Sequence, residues 1–409
     1  MPHPYFLMSL LYLSLVALAA LASILTGLEI IPLFGSLKWL RVHLVTLGAL
    51  TEIIFGLAPI LVATARRLPR PKIRWDTWLF LNAGLVLLLI GIPTITRSLI
   101  VTGGTLIGIA VTLLIKQLID LRPAQASSKN AGLEGRKFYI TGLSYLILGG
   151  LVGTGLWLGW SEVLHIASPI EVHVHTNLWG FAAIILAGLL VDLYPSFANR
   201  PLAWPRSIPW IYWSMALGAL GLISGPWLNV SIFTVVGLIL HTLGSILLLV
   251  IVIKPLLGDR RAWTPGMWHL LTSYVWFFIP VVVAPLIVAR ATDFPVQEIS
   301  GSGGPILIFG WILQFGYALV PYLFTRFFEP NKPARLGGTW LSLVTVHLGG
   351  ILFWVSLFFP DVEPVARALA YGFWIVSGLP ILISLWRSLR SGLQKVEESQ
   401  AVSLEERTP

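Results

Sequence analysis

The chain contains no cysteine. That excludes disulfides, thiolate zinc sites, iron–sulfur clusters and covalent c-type haem attachment. A bound metal or haem would have to rest on histidine, helped at most by carboxylate. Charge is scarce as well: 11% of the 409 residues are Asp, Glu, Lys or Arg, against about 25% in soluble domains. What fills the chain instead is apolar. The sequence is 56% hydrophobic, in runs of roughly 20 residues that recur from end to end. A soluble core alternates such runs with polar faces, so this pattern predicts an all-α, polytopic transmembrane bundle. The first run opens at about Tyr5 without a basic leader and more runs follow it, so it reads as a retained helix and not a cleaved signal.

Twelve spans are expected, at about 5–27, 40–64, 77–95, 98–118, 138–160, 174–194, 208–226, 230–254, 267–289, 304–325, 340–359 and 363–386. Joints rich in Gly, Pro and Arg separate them, such as "ARRLPRPKIR" and "KPLLGDRRAWTPG". Residues 1–390 read as one integral membrane domain, and 391–409 as a charged, disordered tail. Sorting the loops by side puts 22 of the 27 Lys and Arg residues on one side, together with the C-terminus. Only Lys38, Arg41, Arg97, Arg290 and Arg367 fall on the other. The positive-inside rule therefore predicts that both termini are cytoplasmic, in a cell (plasma) membrane protein. The net charge of +9 then belongs to loops at an anionic bilayer surface and not to a nucleic-acid site.

A repeat runs every four spans. The second span, "HLVTLGALTEIIFGLAPIL" from His43, aligns with the sixth, "HTNLWGFAAIILAGLLVDLYP" from His175, so that Gly48 matches Gly180 and Gly56 matches Gly188. The tenth, "GPILIFGWILQFGYALVPYLF", places Gly310, Ala318 and Pro321 on Gly48, Gly56 and Pro59. Small residues at such positions let helices approach closely. Three four-helix arcs about a pseudo-threefold axis would follow; the alternative is chance similarity among Gly- and Leu-rich helices.

Polar residues inside spans are few. His43 and His175 each stand near the outer end of a span, suited either to haem or copper ligation by neutral imidazole or to interfacial hydrogen bonding. His173 lies two residues before His175, about 200° round a helix, so the two do not converge on one metal from a regular helix. His173 addresses a separate metal or belongs to the loop. His241 and His347 lie near mid-span, where an ionisable group is a functional candidate by default, or else a buried imidazole bonded to a neighbouring hydroxyl or carbonyl. Glu52, nine residues after His43, relays protons, orients a ligand from behind, or stays protonated and hydrogen-bonded. His3, His165 and His269 read as structural or solvated. Arg97, Arg290 and Arg367 suit either an anionic cofactor's carboxylates or lipid phosphate.

The words "HTNLWGF" and "LYP" on the sixth span, with twelve spans and the repeat, resemble the catalytic subunit of the haem–copper oxidase superfamily. They are most similar to the His-Thr-Asn helix of nitric oxide reductases and cbb-type oxidases. In size and style the chain looks closest to the NnrS family. The resemblance implies haem b and/or copper as cofactor, with His175 at the haem-ligand position and His43 as its repeat mate. It further implies nitric oxide or oxygen as the molecule handled, and other membrane redox subunits or an electron donor as partners. The sequence departs from the superfamily where the oxygen-reducing site should be: the seventh and tenth spans carry no histidine, and the only His-x-His lies on the sixth. An oxidoreductase activity is thus left open. A metal-free relative acting in assembly or regulation, and a secondary transporter with internal repeats, are the alternatives.

Overall fold

Each apolar run closes its backbone hydrogen bonds within itself, as a segment in hydrocarbon must, and its ends are marked by residues that cannot continue a helix. The computed structural model describes residues 3–122, 135–288 and 295–405, and among these there is no strand. Twelve long helices are numbered here in chain order: α1 Pro4–Gly27, α2 Leu37–Ala65, α3 Trp75–Gly91, α4 Arg97–Asp120, α5 Arg136–Leu158, α6 Pro169–Ala198, α7 Ile208–Leu228, α8 Ser231–Ile253, α9 Pro265–Val288, α10 Ile306–Phe328, α11 Trp340–Phe358 and α12 Glu363–Glu405. Proline opens α1 and α6, where its missing N–H costs nothing. Left-handed Gly159, Asn199 and Asn229 close α5, α6 and α7.

Eleven of these helices are long and apolar enough to cross a bilayer. The twelfth, α3, has 17 residues, or about 26 Å at 1.5 Å per residue, the short end of a spanning helix. The chain is an integral membrane protein whose partner is the lipid bilayer. The polar end departs from expectation, because α12 continues to Glu405. The sequence there, "LQKVEESQAVSLE", is rich in good helix formers and carries the helix past the last apolar residues. Glu329, just beyond α10, meets α12 shortly before this extension. Burial works against its charge, yet hydrogen bonds from Lys332 and from Ser388 of α12 keep the carboxyl below its usual range.

Where the sequence reads as one membrane domain, contacts group the residues into two compact units. The first takes the chain up to Ile53 and from Asp259 onward; in it α1 packs on the opening of α2 and on α12, α9 packs on α10, and α11 and α12 pair. The second takes Ile54 to Gly258; in it α3 pairs with α4, α7 pairs with α8, and α5 packs on α4 and α6.

Within these units the four-helix repeat is present as local geometry. The apolar stretches of α2, α6 and α10 are 83%, 72% and 94% buried, against 33–50% in the other long spans. That burial is why these three are apolar all round. Each contains a π-helical segment in the same register: Leu44–Leu50, Thr176–Ala182 and Ile306–Leu313. The fifth residue of each is the aligned glycine, and each glycine receives an aromatic ring from the preceding helix. A β-carbon on Gly48, Gly180 or Gly310 would lie 2.8, 2.7 and 2.7 Å from the Cγ of Tyr12, Tyr145 and Trp276 respectively. The glycines thus seat aromatic rings from α1, α5 and α9.

Asp192, near the end of α6, is a capping residue. It accepts a hydrogen bond from Gly135 N at 2.8 Å and one from Tyr139 Oη at 2.8 Å, and so places negative charge at the N-terminus of α5. Asp192→Ala should cost about 1–2 kcal/mol of stability and Asp192→Asn less, read as a lower thermal midpoint in detergent. Equal midpoints for wild type and Asp192→Ala would remove the capping role.

Candidate functional site

The histidines sort by what their two ring nitrogens do. His175 closes the short α-helical turn that opens α6, directly before the π-helical segment. Its Nδ1 donates to Leu222 O of α7 at 2.7 Å. A carbonyl only accepts, so the proton sits on Nδ1 and the lone pair on Nε2. This is the arrangement by which a backbone carbonyl orients a ligating imidazole. His43 holds the matching place before the π-helical segment of α2. Its Nδ1 donates to Trp39 O at 2.8 Å and its ring stacks on Trp39 at 4.4 Å. His43 belongs to the first unit and His175 to the second.

His173 faces away from His175, as the two-residue spacing requires. It turns to α5, where Nδ1 donates to Gly149 O at 2.9 Å and the ring lies where a β-carbon on Gly153 would be. Asn177, one turn on, donates to His173 O at 2.8 Å and fills the space over Gly149. Gly149 and Gly153 therefore make room on α5 for a polar pair carried by α6, which the sequence signals only as "LGGLVGTG".

His241 of α8 is fully buried. Its Nε2 donates to Trp179 O at 3.1 Å, its Nδ1 lies 3.4 Å from Ser245 Oγ, and its ring meets the Trp179 edge. It ties α8 to the π-helical segment of α6. His347 of α11 is committed on both sides. Trp276 Nε1 donates to its Nδ1 at 3.1 Å, and Thr272 Oγ1 lies 2.9 Å from its Nε2. Thr272 spends its own proton on Trp268 O at 2.7 Å, so it accepts from His347 Nε2 and from Gln314 Nε2 at 2.9 Å. This fixes the His347 tautomer and joins α9, α10 and α11. Both residues make the hydrogen bonds to neighbouring side chains or carbonyls that the bonded-imidazole alternative describes. Thr272→Val would leave two donors, on the buried Gln314 and the half-buried His347, without an acceptor. It should cost about 2 kcal/mol, measured as thermal stability; no loss would mean the network is not formed.

The shared π-helical frame also pairs Glu52 with Gln314. Both are fully buried, and the second group has Ile184 at this place. Glu52 acts electrostatically on Tyr12, the ring seated on Gly48. A carboxyl and its amide isostere thus occupy equivalent register positions in α2 and α10. Nothing in the sequence singles out the contacts of Thr272, Asn177 or the Leu222 carbonyl.

No family model matches the chain, and neither does any curated protein.

Among the described residues no three His, Asp or Glu side chains gather as a metal cluster. Arg97 is exposed, Arg367 pairs with Glu363 at 2.7 Å, and Arg290 lies outside the described residues. Gly48 and Gly180 face the rings of Tyr12 and Tyr145.

Proposed function

We propose that the chain is a haem- and/or copper-binding membrane protein on the haem–copper oxidase plan, most similar to the NnrS family, with His175 as its principal ligand. It handles a small redox-active gas, nitric oxide or oxygen. One observation carries this reading. In two of the three groups a histidine with its Nδ1 committed to a backbone carbonyl stands directly before a π-helical segment, and such segments concentrate at functional sites. The "HTNLWGF" resemblance supports it independently. The donor set fits at His175, and His43 is its counterpart. A bound haem or copper would supply electron transfer or reversible gas binding. The chain's own contribution is to fix the imidazole through the Leu222 carbonyl and to keep water away with apolar helices. Cytoplasmic termini, a plasma-membrane location, a single pseudo-threefold axis and an electron-donating partner belong to the same proposal.

A second reading has a specific observation behind it. The commitments of His241 and His347, and the tyrosine rings on Gly48 and Gly180, suit a metal-free relative that kept the bundle and acts in assembly or regulation. The absorption spectrum and copper content of protein purified from a haem- and copper-sufficient host decide between them. A Soret band or stoichiometric copper is expected; neither being present would overturn the first reading and leave the second.

A further inference from the structure

We propose that the first unit binds one anionic phospholipid, with a tail in the groove between α1 and α12 and the headgroup phosphate at Arg41 and Tyr371. The groove lies over α10 and is open along one side. Its lining is almost purely apolar, with Leu13, Ala17 and Ala20 from α1 and Trp374, Leu379 and Leu385 from α12. From Trp374 to Leu385 it follows α12 for about 16 Å at 1.5 Å per residue, close to half of the ~30 Å hydrocarbon core. A tail in one leaflet has that reach.

The chemistry changes one helical turn beyond the groove. Past Ala20 on α1 comes Ser23, and past Trp374 on α12 comes Tyr371. Arg41 of α2 joins them: its Nη1 donates to Ser23 Oγ at 3.2 Å and its guanidinium carbon lies 5.0 Å from the Tyr371 ring centroid. Arg367 stands one turn further along α12; both guanidinium charges act on the Tyr371 hydroxyl, and Arg41 also hydrogen-bonds its oxygen. Glu363 balances Arg367 alone. Tyr371 is 2% exposed. Among the described residues neither its hydroxyl proton nor Arg41 Nε, both shut off from solvent, meets a well-placed acceptor. Two buried donors and a surplus positive charge, one helical turn beyond an apolar groove of one leaflet's depth, complement an acidic amphiphile. An uncharged ligand would leave the charge unmatched, and a free phosphate would leave the groove unfilled.

Native mass spectrometry of the full chain in detergent tests this, with phosphatidylglycerol, phosphatidylcholine of the same tails, and inorganic phosphate as probes. Wild type should retain phosphatidylglycerol about tenfold better than phosphatidylcholine, as two basic side chains partly offset by one carboxylate would give. Arg41→Gln should bring the two lipids level. Ala17→Phe, which fills the groove, should lose both, and millimolar phosphate should not displace the lipid. Equal retention of the two lipids by wild type would overturn the proposal. So would retention of phosphate alone, or undiminished phosphatidylglycerol binding in Arg41→Gln. If Arg41→Gln does not fold, Arg367→Gln and Tyr371→Phe probe the same headgroup site, and unchanged selectivity in both is equally decisive against it.

Discussion

Gly237→Leu should abolish the folded protein, and Gly237→Ala should cost about 3 kcal/mol, the upper range for overpacking. The reason is the distance between the backbones of α7 and α8. A β-carbon on Gly237 would sit 2.5 Å from Leu222 N and 2.7 Å from Gly218 O; one on Gly218 would sit 2.5 Å from His241 N. These neighbours are main chain and cannot swing aside as a side chain would. Without a hydrophobic driving force between helices in lipid, such close packing is itself what holds the pair together. The same contact sets where His241 and the Leu222 carbonyl lie, so a wedge at Gly237 disturbs both His241 and the acceptor of His175. Gly108→Ala and Gly150→Ala are the controls: nothing lies within 4 Å of either position, and alanine there should be neutral or gain up to about 1 kcal/mol. Monodispersity on gel filtration and helical signal against temperature report the outcome. A well-behaved Gly237→Leu protein melting like wild type would show that these two backbones are not in contact.

The sequence and the structure agree most closely where the physics is one-dimensional. Hydrocarbon thickness sets span length, so the twelve helices were legible from apolar runs alone; even α3, short at 17 residues, was visible between its Pro and Arg-rich flanks. The repeat was legible through Gly48, Gly180 and Gly310, although the reason for those glycines was not. Glycine in a membrane helix signals a close neighbour without naming it, and here the neighbours are Tyr12, Tyr145 and Trp276 on helices 34 or more residues away. The π-helical segments left no mark, because "LVTLGAL" and "TNLWGFA" carry no residue that excludes an ordinary α-turn. The candidate site was half legible for a related reason. Spacing alone separated His173 from His175 onto different faces. Which nitrogen each imidazole commits depends on carbonyls and hydroxyls far along the chain, such as Leu222 O and Thr272 Oγ1. No local pattern encodes those partners, so the sequence leaves His347 open between a ligand and a hydrogen-bonded imidazole, and only the fold shows Trp276 and Thr272 at its two nitrogens.

On the proposed ligation, His175→Ala should lower the Soret band or bound copper by more than the roughly 10–100-fold that losing a ligand's hydrogen-bond partner costs, while the protein still inserts and stays monodisperse. Insertion depends on some twenty apolar residues of α6, to which one imidazole at the end of the span adds little. The variant loses a single hydrogen bond to Leu222 O, worth about 1 kcal/mol, so stability and metal content should separate cleanly. His173→Ala tests the geometry from the other side. That ring packs into the space over Gly153 on α5 and engages Gly149, so its loss should lower stability while largely sparing the spectrum. His165, which lies between α5 and α6, serves as the silent control. Leu222 contributes only its carbonyl, so Leu222→Ala should keep the spectrum where Gly237→Ala, which shifts the backbone carrying that carbonyl, should perturb it. A wild-type spectrum that survives in His175→Ala would move the ligand elsewhere. His43, in the matching place before its own π-helical segment, would then be the first position to replace.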